Sequence, residues 1–190
     1  MKTLIKRVVS VEEPFDNFQV GDIIEFALNN GEKVEAMAVK KENDGSLFIF
    51  VDCLSTEHSM NDERTNKGGY DASDLRVKLN KDILDLFPSD IRGRMIPFAN
   101  GDYLRLPTEK EIFGENEYGE EEPDETQQFE PMKFRRNRIA FQGTNGDWEW
   151  YWLQNAVKNS AANFAIVNSN GNASSYGASA SLGVRPCFKL

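Results

Sequence analysis

Two cysteines and one histidine are all that this chain offers for thiol and imidazole chemistry. Cys53 and Cys187 stand far apart, with no Cys-x-x-Cys or other metal-ligand spacing, which excludes most zinc chemistry. Both stand in largely apolar surroundings, Cys53 after the run 47–51 and before Leu54 and Cys187 between Pro186 and Phe188, so both read as buried thiols of a reducing compartment. His58 lies in the polar run Ser55-Thr56-Glu57-His58-Ser59 and reads as a solvated loop residue. Histidine acid–base catalysis and Ser-His-Asp triads are thereby set aside. No apolar run approaches eighteen residues, and Met1-Lys2-Thr3-Leu4-Ile5-Lys6-Arg7 lacks the apolar stretch of a signal peptide. A soluble protein without membrane association is expected, cytoplasmic when synthesised. Residues 151–190 also lack any Asp or Glu.

What is present suits a single folded unit. With 190 residues, 39% hydrophobic and 28% charged, the chain is long and apolar enough to bury a core. The net charge of −9 is concentrated in one stretch, Glu115, Glu117, Glu120, Glu121, Glu122, Asp124 and Glu125. One reading is a mobile insertion, over 114–130, kept soluble by self-repulsion. Another is a mimic of nucleic-acid phosphate. The spacing matches no calcium loop, and direct nucleic-acid binding is not expected of so acidic a surface. The short basic run Lys133-Phe134-Arg135-Arg136-Asn137-Arg138 balances it.

The first third reads as strands. Leu4-Ile5 and Val8-Val9 form an opening extended segment. Residues 22–28 and 33–39 flank Asn29-Asn30-Gly31, an Asn-Gly hairpin signal. Residues 46–53 are apolar on both faces and read as a central strand, completing an antiparallel meander. The period then changes. Leu75, Leu79, Ile83, Leu86 and Phe87 give one apolar helical stripe, with Ser73 as N-cap and Pro88 as stop. A second helix starts at Thr108, whose spacing to Glu111 is a capping box, and ends at Gly114.

The last fifty residues are unusual. Trp148, Trp150 and Trp152 are the only tryptophans, and strand alternation sends all three to one face. They form either a core wall or a binding platform, with Trp152, next to Leu153, assigned to the core and Trp148 and Trp150 to anchoring. Residues 159–183 are almost entirely Ala, Ser, Asn and Gly, the exceptions being Phe164, Ile166, Val167, Tyr176 and Leu182. Three features argue for folding rather than a linker: the strand-like run 164–167, an Asn170-Gly171 turn, and a sealing strand over 183–188. Small polar side chains on such a frame offer many hydrogen bonds and little steric preference, as in an adaptable paratope.

These residues also carry a resemblance. Trp152-Leu153, the Asn/Ser segment 168–172 and Gly183-Val184-Arg185-Pro186 resemble the C-terminal half of C-type-lectin-like domains of phages, prophages and Gram-positive bacteria. Ser73-Asp74-Leu75-Arg76-Val77-Lys78-Leu79-Asn80 is similar to the same family's helix. Leu104-Arg105-Leu106-Pro107-Thr108-Glu109 resembles a helix start in the wider class, which includes formylglycine-generating enzymes and the variable proteins of diversity-generating retroelements. The resemblance spans about 20–190, after an N-terminal strand segment 1–19. It implies an α+β, C-type-lectin-like fold of antiparallel sheets, two helices and an acidic loop, used as a scaffold for ligand display. The positions it marks are Asn155, Asn159, Asn163, Asn168, Asn170 and Asn172, beside Ser160, Ser174, Ser175 and Tyr176. The formylglycine cysteine pair and the lectin calcium motifs have no counterpart here.

Two functions are therefore expected in competition. One is a non-enzymatic binding protein, phage- or prophage-encoded and open to virion association, that shows the Asn/Ser/aromatic surface with Trp148 and Trp150 to a protein or glycan. The other is a small acidic inhibitor of a nucleic-acid-handling defence complex, anti-CRISPR-like, acting through 115–125. Neither needs a cofactor, a metal or a catalytic residue.

Overall fold

The structure is a computed structural model that describes residues 7–10 and 17–190. The expected strand at Leu4-Ile5 lies outside the described residues. The chain forms strands β1 (Val8–Val9), β2 (Ile23–Ala27), β3 (Lys33–Lys41) and β4 (Ser46–Phe50), then helices α1 (Asp74–Lys78), α2 (Ser89–Arg92) and α3 (Glu109–Phe113). Strands β5 (Ala140–Phe141), β6 (Trp148–Glu149), β7 (Tyr151–Ala156), β8 (Asn163–Val167), β9 (Ala173–Gly177) and β10 (Cys187–Lys189) follow. It is a mixed α+β fold dominated by sheet. The five-stranded sheet has the order β1-β2-β3-β4-β10, and β7-β8-β9 and β5-β6 form two smaller sheets.

The β2–β3–β4 meander stands as the turn signals predict, antiparallel throughout. At its first turn Gly31 takes φ +87°, and its N–H reaches the Leu28 carbonyl at 2.8 Å while the Leu28 N–H reaches Glu32 at 2.7 Å. The Asn168–Asn172 turn repeats this bonding, with Gly171 at φ +72° and distances of 2.8 and 2.9 Å. Both turns need the left-handed backbone that glycine alone enters cheaply.

Two sequence expectations about extent are corrected. The stripe over 73–87 is not one α-helix. Ser73 caps α1, its hydroxyl accepting from the Arg76 N–H, but Leu79–Ile83 forms a π-helical turn and Leu84–Leu86 a 3₁₀ turn. Leu75, Leu79, Ile83 and Phe87 are nevertheless all buried, because the widened turn keeps them on one side. The sealing strand is also shorter than 183–188. Only Cys187–Lys189 pairs with β4, in the register Phe188 to Phe48, while Gly183 bridges Tyr151.

Phe188 brings the C-terminal strand into the core. It stacks on Phe48 at 5.5 Å and packs edge-on against Phe26, Phe50 and Phe87. Such ring pairs each add about 0.5–1.5 kcal/mol beyond area burial. The other face of β4 packs with Ile112, Met132, Tyr151, Leu153, Ala165, Val167 and both cysteines. Burial raises the thiol of Cys53 and pushes that of Cys187 up to about 12, so both stay protonated.

Arg185 ties the two sheets together. It is 1% exposed; its Nε donates to the Phe50 carbonyl at 2.6 Å and its Nη1 to the Tyr151 hydroxyl at 3.0 Å, with the guanidinium against the Tyr151 ring. The Tyr151 hydroxyl in turn donates to the Arg138 carbonyl. Replacing Arg185 leaves a buried carbonyl without its donor and opens a cavity. Arg185→Ala is expected to lower unfolding free energy by about 3 kcal/mol in a urea titration, whereas exposed Arg136→Ala changes it by less than about 0.5 kcal/mol.

Candidate binding surface

The three tryptophans do not share one strand. Trp148 sits on β6, directly opposite Phe141 of β5, and the two rings are 58% and 45% exposed. Trp152 is fully buried on β7, with its indole N–H donating to the His58 carbonyl at 2.8 Å. Trp150 lies between the strands and meets Tyr176 edge-on at 5.6 Å. The single face implied by simple alternation fails because the chain changes sheets at Trp150. Phe141, exposed to a similar degree, is invisible to a search for tryptophan spacing; its signal is its register opposite Trp148. The Trp150 Nε1 donor is buried and has no acceptor among the described residues.

The asparagines fall into three groups rather than one patch. Asn168, Asn170 and Asn172 form the β8–β9 turn, where the Asn168 side-chain oxygen accepts from the N–H groups of the other two. Its tip is docked by Arg135, whose Nε donates to the Asn170 carbonyl at 2.7 Å. Asn159, Ser160 and Asn163 lie toward the far end of β8, where Asn66 donates to the carbonyls of Ser160 and Asn163. Asn155 is elsewhere. It accepts from the Glu109 N–H and donates to Glu122, both bonds internal to the fold. Asn159, Asn170, Asn172 and Tyr176 are the exposed members, and Ser174 and Ser175 are half-buried on β9.

The acidic stretch is strapped to α3 rather than trailing free. Glu109 is fully buried and its carboxylate accepts from the N–H groups of Tyr118 and Gly119 at 3.0 and 2.7 Å. Glu122 points inward and accepts from the Thr108 hydroxyl, the Lys110 N–H, Asn116 and Asn155. The expected capping box is present, and Glu111 also holds Arg105 at 2.6 and 2.7 Å. Self-repulsion is thus countered by hydrogen bonds, and Glu115, Glu117, Glu120, Glu121, Asp124 and Glu125 remain exposed on a fixed frame. Lys110 and Lys158 share a polar hollow of about 280 Å³ with Glu115 and Glu121.

Beside Trp148, Glu149 packs over Gly183 and accepts from the Trp150 N–H at 2.6 Å. Burial, reinforced by a carboxyl hydrogen bond with Glu57, holds Glu149 above the ordinary carboxylate range. His58 is half-buried rather than fully solvated, bridged to Leu182, and burial with nearby Lys78 lowers its pKa. A separate cavity of about 850 Å³ lies between Val8, Val20, Met37 and Phe134, and none of the predicted tryptophan, asparagine or tyrosine binding positions lines it. Among the described residues no group of three or more His, Cys, Asp or Glu is placed to hold a metal ion, and no helix is long and apolar enough to cross a membrane.

The family model described as a domain of unknown function (DUF6273) matches residues 44–190, which run from just before β4 through β10. The chain belongs to that family. No curated protein and no solved structure matches the chain.

Two outcomes follow from this geometry. Glu122→Ala removes the acceptor of four donors and should cost about 2 kcal/mol by urea titration, with faster amide exchange over 116–122, whereas Glu120→Ala stays within about 0.5 kcal/mol. Because the folded state raises the Glu149 pKa, its favourable contribution is present below the ordinary carboxylate pKa and is lost as pH rises through the raised value. Glu149→Gln should therefore gain stability relative to wild type as pH rises from 4 to 7; an unchanged difference across that range would contradict the assignment.

Proposed function

We propose that the chain is a non-enzymatic ligand-binding protein with a C-type-lectin-like fold, phage- or prophage-encoded, which offers the surface around β5–β6 and β7–β9 to a protein or glycan partner. The observation that carries this reading is the opposed pair Phe141 and Trp148, both substantially in water on a two-stranded ribbon. Folded domains gain stability by burying such rings, and an exposed aromatic pair is the composition of an anchoring patch. Trp150 follows Trp148 by two residues, within about 7 Å along the chain, and its ring carries the patch on to Tyr176. The orphan Trp150 Nε1 marks the same place as imperfectly satisfied, as binding sites often are.

The fold assignment draws on the return of β10 beside β4, the smaller sheet that presents the Asn/Ser hairpin, and the Gly183–Pro186 approach between the two. The phage or prophage origin rests on the motif resemblance alone. A second reading, the acidic inhibitor, is favoured by one observation: six exposed carboxylates are held on an ordered loop by Glu109 and Glu122. Converting those six to amides, with Glu122 kept, would abolish inhibition of a nucleic-acid-handling complex and leave the aromatic surface intact.

The test screens the full chain against a glycan array and a displayed random-peptide library. Trp148→Ala is expected to weaken recovered ligands about 30-fold, a loss typical of a central aromatic anchor. Its stability should stay within about 0.5 kcal/mol of wild type. Ligands that bind Trp148→Ala, Phe141→Ala and Tyr176→Ala as tightly as wild type would overturn the proposal.

A further inference from the structure

The β8–β9 ladder has a fixed parity. The Asn168 N–H donates to the Asn172 carbonyl at one end, and the Ala178 N–H donates to the Ala162 carbonyl at the other. With the register Asn163 to Gly177 through Val167 to Ala173, the hydrogen-bonded pairs are Phe164 with Tyr176 and Ile166 with Ser174. The backbone N–H and C=O groups of Ala173 and Ser175, and the N–H of Gly177, therefore point away from β8. β9 is the outer strand of its sheet, and no backbone bond joins Ala173 or Ser175 to any other element among the described residues. The Gly177 carbonyl alone is taken, by the Ala180 N–H.

Proteins usually blunt such an edge with lysine, proline or a bulge. β9 is Ala-Ser-Ser-Tyr-Gly, without any of these, and its register with β8 is unbroken. Donors and acceptors recur along it every second residue, about 7 Å apart, which is the repeat of another extended backbone. Sugar hydroxyls have no such repeat. Tyr176, 44% exposed and backed by Trp150, stands beside the row as a contact for an alternate side chain. Residues 151–190 supply no carboxylate, and Arg64 lies against Gly177 at one end.

We infer that the open edge of β9 takes an extended, neutral or acidic peptide segment of a protein partner as a fourth strand, added at Ala173, Ser175 and Gly177. This rests on the binding reading above and narrows its partner from protein or glycan to a protein strand.

The test uses the full chain. Peptides selected from a displayed random dodecapeptide library are titrated against wild type, Ser175→Pro and Trp148→Ala, beside the glycan array. The Ser175 N–H makes no bond to β8, so proline there removes a docking donor without removing a ladder bond. In a parallel arm the wild-type chain meets the same peptides N-methylated at alternate residues, which needs no protein variant. The expected result is a loss of at least about tenfold for Ser175→Pro and for one of the two N-methylation phases but not the other. Peptides that depend on Trp148 yet tolerate Ser175→Pro and both N-methylation phases would overturn strand addition and spare the binding reading. Enrichment of glycans with no peptide would do the same. A wild-type dimer in sedimentation velocity that Ser175→Pro makes monomeric would assign the edge to a second copy and also overturn the inference. Recovered ligands indifferent to both Trp148 and Ser175 would remove the two readings together.

Discussion

The molecule depends on how Arg185 is held. A guanidinium taken out of water is costly unless its donors are answered, and here the acceptors are a backbone carbonyl at the end of β4 and a tyrosine hydroxyl at the start of β7. Those two atoms belong to different sheets. Satisfying this buried guanidinium therefore fixes where the small sheet sits on the large one. Pro186 and Phe188 extend the same tie, since the Pro186 carbonyl accepts from the Phe50 N–H and Phe188 enters the ring cluster. The C-terminal residues close the fold rather than decorate it. The Leu190 carbonyl, which accepts from the Ser46 N–H, sits so close to Gly45 that no side chain fits there.

Once that tie is made, a low-complexity stretch becomes a surface. Phe164 and Ile166 enter one core, and Ala165 and Val167 enter the other, so β8 is buried on both faces. Ordering β8 orders β9 through the ladder, although β9 itself is small, polar and half-exposed. Among the aromatic rings left outside, Trp148 and its cross-strand partner Phe141 stand next to the point where the chain crosses between sheets. The carboxylates show the same logic in reverse. Glu109 and Glu122 turn inward and spend their charge on N–H and side-chain donors, which leaves the neighbouring acids outward on a defined loop.

Much of this was legible in the sequence. Turn chemistry located the hairpins at Gly31 and Gly171, and the Thr108–Glu111 spacing located the start of α3, because these signals are local. The burial of Trp152 and both cysteines also followed from their neighbours. The long helix over 73–87 did not, since the apolar stripe reports only which side faces inward. It is silent on whether α, π or 3₁₀ turns carry the chain there. The grouping of the asparagines failed for a related reason. Asn155, Asn163 and Asn168 are alike in composition, but their roles are set by Glu109, Asn66 and the Gly171 turn, partners that sequence adjacency mostly does not reveal. Phe141 was missed because its meaning lies in cross-strand register with Trp148.

The claim on which the account turns is that residues 159–183 form an ordered sheet with an open outer edge. Residue-resolved amide hydrogen exchange on the full chain addresses it directly. The account predicts slow exchange at Phe164, Ile166, Ser174 and Tyr176, whose N–H groups lie inside the β8–β9 ladder, and fast exchange at Ala173 and Ser175. Uniformly fast exchange across 159–183 would contradict the folded frame, and slow exchange at Ala173 and Ser175 would contradict the open edge.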